Sequence, residues 1–324
     1  MNYTNIIKEV GRGIKGATDL DQDTAYQLYG AILDGRVPEL ELGALLLAFR
    51  IKGESEQEML GFHCALAERI HPIARPAGKP LPVLLPAYNG ARKQANLLPL
   101  LALLLQQHGV PVLLHGVTQD QKRVTAAETL ALLDVPVSTT VQEAEARLAQ
   151  HGIAFLTAHG LSPAMDAQLE LRWRLGVRGS THTLAKLVDP FAGASVRVVS
   201  VTHPPYLVRM ADFMRATGAR GLLLRGAEGE PYANPKRCPR IEFFHDGVGE
   251  VLVEQDSGDT ELPQLAGDFD AQTTAHWTRQ VLAGEAPAPK PLLTQLACCL
   301  YAAGAAPDMA AALAAVETIP THNS

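Results

Sequence analysis

Apolar side chains recur at helical spacing through the first 75 or so residues, and no alternating run interrupts them. That pattern predicts helices throughout. Leu28, Ile32 and Leu33 share one stripe, and Leu42, Leu45, Leu46 and Phe49 form another beyond the loop Asp34-Gly35-Arg36-Val37-Pro38. Gly53 closes that second helix, and Glu54-Ser55-Glu56 opens the next with acidic groups where the helix dipole favours them. From Lys79 onward, short apolar runs alternate with helical stretches, as a mostly parallel sheet covered by helices requires.

Strands are expected at 81–85, 110–114, 154–157, 196–201 and 221–224, with a helix over 97–107 completing one βαβ unit. Ser162-Pro163 reads as an N-cap followed by proline at the first helical position, starting a helix that is expected to return to the N-terminal ones. The runs 241–244 and 251–254 around Gly247 and Gly249 predict a hairpin. The Pro- and Ala-rich stretch 283–291 reads as a surface linker before a final alanine-rich helix. The expected fold class is α/β: a small all-helical domain (residues 1–75 with about 162–187) beside a larger α/β domain (79–160 with about 190–324).

Composition adds limits to this picture. The 324 residues are 47% hydrophobic, enough for a substantial core. No apolar run reaches the roughly 18 residues of a membrane span, and Met1-Asn2-Tyr3-Thr4-Asn5 carries no signal-peptide pattern, so a cytoplasmic location without a membrane partner is expected. Cys64, Cys238, Cys298 and Cys299 lack CxxC or zinc-finger spacing and are expected to be buried free thiols. A net charge of −6 argues against a protein basic over its whole surface, yet leaves room for a local positive groove.

In an open parallel sheet, ligands bind beyond the carboxyl ends of the strands. The first such end is followed by Pro86-Ala87-Tyr88-Asn89-Gly90-Ala91-Arg92-Lys93-Gln94-Ala95-Asn96, with adjacent cations at the foot of a helix. His115-Gly116 and Lys122-Arg123 follow the second strand, and His159, His203 and Arg225 follow later ones. Asn234-Pro235-Lys236-Arg237-Cys238-Pro239-Arg240 adds three cations in a loop stiffened by two prolines. Singly, each is an ordinary solvated charge. Their convergence on one edge points to an anionic ligand. The histidines have no Ser or Cys nucleophile and carboxylate at a known spacing. Gly11-Arg12-Gly13-Ile14-Lys15-Gly16 matches a dinucleotide fingerprint, but no strand precedes it.

The stretch from Leu20-Asp21-Gln22-Asp23-Thr24-Ala25-Tyr26 through Gly35, then Glu41 to Ser55, resembles the N-terminal helical domain of anthranilate phosphoribosyltransferases. Leu175-Gly176-Val177-Arg178 through Asp189-Pro190 resembles that family's loop on the aromatic-substrate side. The resemblance implies a helical domain hinged to an α/β domain, dimerisation through the helical part, a Gly-rich pyrophosphate loop and an acidic pair for magnesium. This chain departs from the pattern at each element. The Gly-rich loop becomes Pro86-Ala87-Tyr88-Asn89-Gly90, and Lys-His-Gly-Asn becomes Leu114-His115-Gly116-Val117. The acidic pair falls at Glu230-Pro231, with Glu228 nearby, and a Gly-Pro becomes Ala185-Lys186.

These departures, with cations beside each, are similar to the YbiB-like, nucleic-acid-binding branch of the family. The branch implies a homodimer without catalytic residues, cofactor or metal, holding nucleic acid (DNA, single-stranded DNA or RNA) largely independently of sequence. Phosphates would meet Arg92, Lys93, Arg178, Lys186, Arg225, Lys236, Arg237 and Arg240 in a groove over the degenerate substrate site of Tyr88, Asn89, Gly90, His115, Gly116, Glu228 and Glu230. Tyr88 or Tyr232 would be available to stack on a base. The alternative is an active phosphoribosyltransferase on an aromatic or nucleobase acceptor, using phosphoribosyl pyrophosphate and magnesium.

Overall fold

In the computed structural model, which describes residues 1–256, 269–319 and 321, four helices come first: α1 (Tyr3–Val10), α2 (Gln22–Leu33), α3 (Glu39–Lys52) and α4 (Glu56–Ala67). Strands and helices then alternate: β1 (Val83–Ala87), α5 (Leu98–Gln107), β2 (Val112–Gly116), α6 (Ala126–Leu132), β3 (Val137–Ser138), α7 (Val141–His151) and β4 (Ile153–Thr157). Three helices interrupt them: α8 (Ala158–Leu161), α9 (Pro163–Leu175) and α10 (Thr181–Leu184). The chain resumes with β5 (Val196–Val201), α11 (Pro204–Ala216), β6 (Gly221–Ala227), β7 (Glu230–Ala233), β8 (Ile241–His245) and β9 (Val248–Val253). It ends with α12 (Ala271–Leu282), α13 (Lys290–Ala302) and α14 (Met309–Val316).

The chain divides into a helical unit, Met1–His71 with Leu161–Pro190, and an α/β unit, Pro72–Gly160 with Phe191–Ser324. In the helical unit α2 and α4 pack on each other around Leu28, Tyr29, Ile32, Phe62 and Leu66. Helix α4 starts on a capping box in which the Ser55 hydroxyl and the Glu58 carboxylate each accept from the other's backbone N–H. Glu58 is fully buried, and its carboxylate also accepts from Leu20 N and Lys52 Nζ. Helix α9 opens as its sequence predicts, with the Ser162 hydroxyl accepting from Met165 N and Pro163 at the first helical position.

The sheet of the α/β unit runs β3-β4-β2-β1-β5-β6-β8-β9, with β7 paired to β6. Pairs from β3 through β6 are parallel, and β7, β8 and β9 are antiparallel additions. Val83, Leu85, Val112, Leu114, Val196, Val198, Leu222 and Leu224 share one core with α5, α6, α12, α13 and α14. A tight turn at Asp246-Gly247, both in the left-handed region, joins β8 to β9.

Two local expectations are corrected here. The stretch 283–291 is not all linker: α13 begins at Lys290, with Pro289 and Pro291 at its start, and its Cys298 and Cys299 lie fully inside the core. Proline at the beginning of a helix carries the same local signal as proline in a loop. Cys64, expected to be buried, is exposed.

Candidate functional site

The parallel strands of the α/β unit deliver their following loops to one rim, as the topology requires. The loop after β1 is tied to the loop after β2 by a bridge in which Ala91 N donates to Val124 O at 3.0 Å and Val124 N to Ala91 O at 2.8 Å. Arg123 Nη1 donates to Gly90 O at 3.1 Å. Gly90 has φ 68°, and a β-carbon there would stand 2.8 Å from Val124 O, so no other residue fits without displacing the bridge.

Four backbone amides of this loop converge on two carboxylates. Asn89 N and Gly90 N donate to Glu230 Oε1 at 2.6 and 2.7 Å. Arg92 N and Lys93 N donate to Glu228 Oε1 at 3.1 and 2.8 Å. The turn between the carboxylates is shaped to reach the loop. Glu228 has φ 52°, and Gly229, at φ 91°, accepts from Asn89 Nδ2 at 2.7 Å. A β-carbon on Gly229 would sit 2.5 Å from that same amide nitrogen. Arg123 lies 3.5 Å from Glu228 and so balances part of its charge. Successive N–H groups aimed into one concavity form an anion site. Here the chain supplies the anion itself.

This arrangement does not fit a resident magnesium ion. One oxygen of each carboxylate, Oε1, is turned onto amide donors, Glu228 Oε2 faces Arg123, and Pro231 follows Glu230 where a second acid would help. Among the described residues no three His, Cys, Asp or Glu side chains are grouped to hold a metal.

Behind the loop, the buried Tyr88 hydroxyl shares a 2.9 Å hydrogen bond with His115 Nδ1, and the two rings meet edge to face. Burial pushes the His115 imidazole down to about 3, so it is neutral near pH 7. Gly116 passes so close to Ala87 O that a β-carbon would overlap it. The Tyr232 hydroxyl accepts from Gln94 Nε2 at 3.0 Å and donates to Ala95 O at 3.2 Å. Tyr88 and Tyr232 are 2% and 0% exposed, so neither can stack on a base as expected from the sequence. Their hydroxyls brace the loop instead.

The eight expected cations separate into three groups. Arg92, Lys93 and Arg225 are exposed on the rim, and none has an acidic partner among the described residues. Arg237 donates from Nε to Asp256 O at 2.9 Å, and Arg240 pairs with Glu242 at 3.0 Å and Glu254 at 3.6 Å; Lys236 beside them is exposed. Arg178 and Lys186 belong to the helical unit and are half-buried. There, burial first and Arg178 next, with Arg172 and Lys186 contributing, push His182 down to about 3.

Sequence reasoning placed Lys122 and Arg123 after a strand end without counting them as phosphate contacts. The structure makes Lys122 a further exposed rim cation and Arg123 a tie between the two loops. It missed Arg209, exposed on α11; the available signal was its place in the helix that directly follows the β5 strand end.

Comparison with known proteins places this geometry. Residues 4–70 match the family model described as glycosyl transferase family, helical bundle domain, and residues 90–321 match glycosyl transferase family, a/b domain. The chain is 48% identical over 320 residues to the protein named uncharacterized protein YbiB of Escherichia coli (strain K12), covering 98% of this chain and 99% of that one. It is 30% identical over 207 residues to anthranilate phosphoribosyltransferase of Thermus thermophilus, spanning 62% of that protein's length. The crystal structure of an anthranilate phosphoribosyltransferase from Thermus thermophilus superposes with a TM-score of 0.77 at 26% identity, over 97% of this chain and 94% of that one. With both of its units matched, the chain belongs to the glycosyl transferase family that joins a helical bundle to an α/β domain, and its fold is that of the anthranilate phosphoribosyltransferases.

Proposed function

We propose that this protein binds nucleic acid through the basic rim of its α/β unit, largely without regard to sequence, and performs no phosphoribosyl transfer. The observation that carries this reading is the loop after β1. Its amides are engaged by Glu228 and Glu230, while Arg92 and Lys93 from the same loop stay exposed. A transferase needs a preorganised, open cradle for pyrophosphate and metal. A filled cradle with cations on its outer side suits a polyanion that only touches the surface. Lys122, Arg225 and Arg209 extend the charge along the rim. Such contacts position phosphates and read no base edges.

The helical unit supports a homodimer. Leu40, Leu47 and Ile51 lie on one stripe of α3 and are 83, 41 and 57% exposed, an apolar face that a second copy would cover. Sedimentation at micromolar concentration is expected to give the mass of two chains; a single-chain mass removes the dimer from the reading.

The function is tested by a salt series of DNA and RNA binding on the wild type and on Arg92→Glu/Lys93→Glu. Binding is expected at low salt, falling steeply as salt rises through counterion release. Calorimetry with phosphoribosyl pyrophosphate and magnesium is expected to show no heat. Absence of nucleic acid binding at low salt overturns the proposal, and magnesium-dependent micromolar binding of the pyrophosphate would favour an active transferase instead.

A further inference from the structure

The two carboxylates that fill the loop after β1 are not held alike. Glu230 is fully buried, and its Oε1 takes the Asn89 and Gly90 amides at 2.6 and 2.7 Å. The Glu228 side chain keeps 13% of its surface in solvent and reaches the stretch of the loop whose Arg92 and Lys93 side chains are exposed. Its backbone lies in the left-handed region at φ 52°, which a non-glycine residue adopts only at a cost in conformational energy. Glu230 is thus a fixed part of the fold, whereas Glu228 is a carboxylate kept near the surface by its contacts.

Those contacts have the form of an anion site. Arg92 N and Lys93 N, consecutive in the chain, both donate to the single oxygen Oε1, at 3.1 and 2.8 Å, and successive N–H groups turned to one point make a nest for an anion. Glu228 Oε2 faces the Arg123 guanidinium at 3.5 Å. Arg123 does not depend on that carboxylate for its position, because its Nη1 also donates to Gly90 O at 3.1 Å. The bridge between Ala91 and Val124 ties the two loops without Glu228. With the carboxylate withdrawn, two amides and a guanidinium would remain aimed at one place. Arg92 and Lys93 add their own exposed cations, and exposed Lys122 adjoins Arg123 in sequence.

We propose that Glu228 is an internal stand-in for phosphate: a phosphodiester of the nucleic acid backbone displaces its carboxylate from the Arg92 and Lys93 amides and the Arg123 guanidinium, while Glu230 stays in place. The inference rests on the nucleic-acid reading of the rim. A phosphodiester spreads a single negative charge over its non-bridging oxygens, as a carboxylate does over its own, so the exchange leaves the charge of the site unchanged and gives each donor an equivalent acceptor. The stand-in also sorts ligands. A carboxylate on the same chain competes at an effective concentration on the order of millimolar, so a free phosphate ion below that level is kept out. A phosphate tethered in a strand already held by neighbouring cations arrives at a comparable effective concentration and enters. Glu228 thereby lowers the affinity for nucleic acid and shields the nest from small phosphate compounds.

The test uses fluorescence anisotropy with the full chain and a labelled mixed-sequence DNA duplex at one low salt concentration. Glu228→Gly removes the carboxylate, and Glu228→Asp keeps the charge but shortens its reach by a methylene; both residues tolerate the left-handed backbone. The glycine variant is expected to bind about tenfold tighter than the wild type, and the aspartate variant about threefold tighter. Asp120→Asn, which removes a carboxylate from the loop after β2, is expected to change affinity less than about twofold. If Glu228→Asp binds as the wild type does, or Asp120→Asn gains as much as Glu228→Gly, general repulsion accounts for the effect and the exchange is overturned. If the wild type does not bind the duplex, the nucleic-acid reading falls and the exchange with it. Hydrogen exchange gives a readout independent of affinity: the Arg92 and Lys93 amides are expected to exchange faster in free Glu228→Gly than in the wild type and to regain protection when the duplex is added. A bound duplex without regained protection means that no phosphate occupies the nest. On the wild type, inorganic phosphate at about 1 mM is expected to displace no more duplex than sodium chloride of equal ionic strength, and specific displacement would assign the nest to free phosphate instead.

Discussion

Two loops at the same end of the sheet look equally basic in sequence and deploy their charge differently. In the loop after β1, the backbone is satisfied by Glu228 and Glu230, and the Arg92 and Lys93 side chains are left to solvent. In the loop between β7 and β8, the side chains themselves are engaged: Arg237 caps the Asp256 carbonyl, and Arg240 reaches Glu242 and Glu254. A cation that already has a carboxylate partner offers a phosphate little net attraction, because the partner must be displaced or its repulsion borne. Availability of charge is therefore set by what each side chain meets, Glu242 and Glu254 in the case of Arg240, and not by the density of Lys and Arg in a segment.

The comparison breaks most visibly if its backbone half is removed. Glu230→Ala leaves the Asn89 and Gly90 amides without their buried acceptor and is expected to cost about 3 kcal/mol, read by urea unfolding. A loss below about 0.5 kcal/mol, the scatter of ordinary surface changes, would show that the carboxylate does not hold the loop. The side-chain half sharpens next. Arg92→Glu/Lys93→Glu is expected to weaken nucleic acid about 100-fold at low salt, against less than about threefold for Arg240→Glu. Equal losses would mean that the Glu242 and Glu254 pairs do not withhold charge.

The smallest effect concerns His115 behind the loop. Its imidazole is held down to about 3, whereas the unfolded chain takes the proton at about 6.5. Between those values the unfolded state binds more protons, so stability rises with pH and is lost as pH falls through that window. His182 contributes with the same sign. His115→Gln is expected to flatten the slope by about one proton, at most about 1.4 kcal/mol per pH unit, in urea unfolding across a pH series. An unchanged slope would mean that the folded protein protonates His115.

Much of the fold was legible because its signals are local. The parallel core strands announce themselves as short apolar runs, and Ser162-Pro163 states where α9 begins. The rim was legible by rule, since a loop after a parallel strand lies at the binding edge. What escaped was pairing over distance. Glu230 meets Asn89 across 141 positions, and Glu228 meets Arg92 across 136, with nothing in either segment naming the other. Tyr88 and Tyr232 failed as stacking candidates for a related reason: an aromatic in a loop reads alike whether its ring faces water or the core. Pro291 belongs to a helix start for which proline gives no separate sign.

The contact between Gly229 and Asn89 has a consequence for how such a protein changes over generations. The carboxylates and the amides they satisfy are complementary parts of a lock, and altering either part alone leaves a buried polar group without a partner, at about 1 to 3 kcal/mol per group. Opening the cradle from the carboxylate side alone therefore costs stability before any anion is bound. The filled loop works as a ratchet: substitutions on the outer rim leave these hydrogen bonds in place, while an empty cradle calls for matched changes in both partners of the lock.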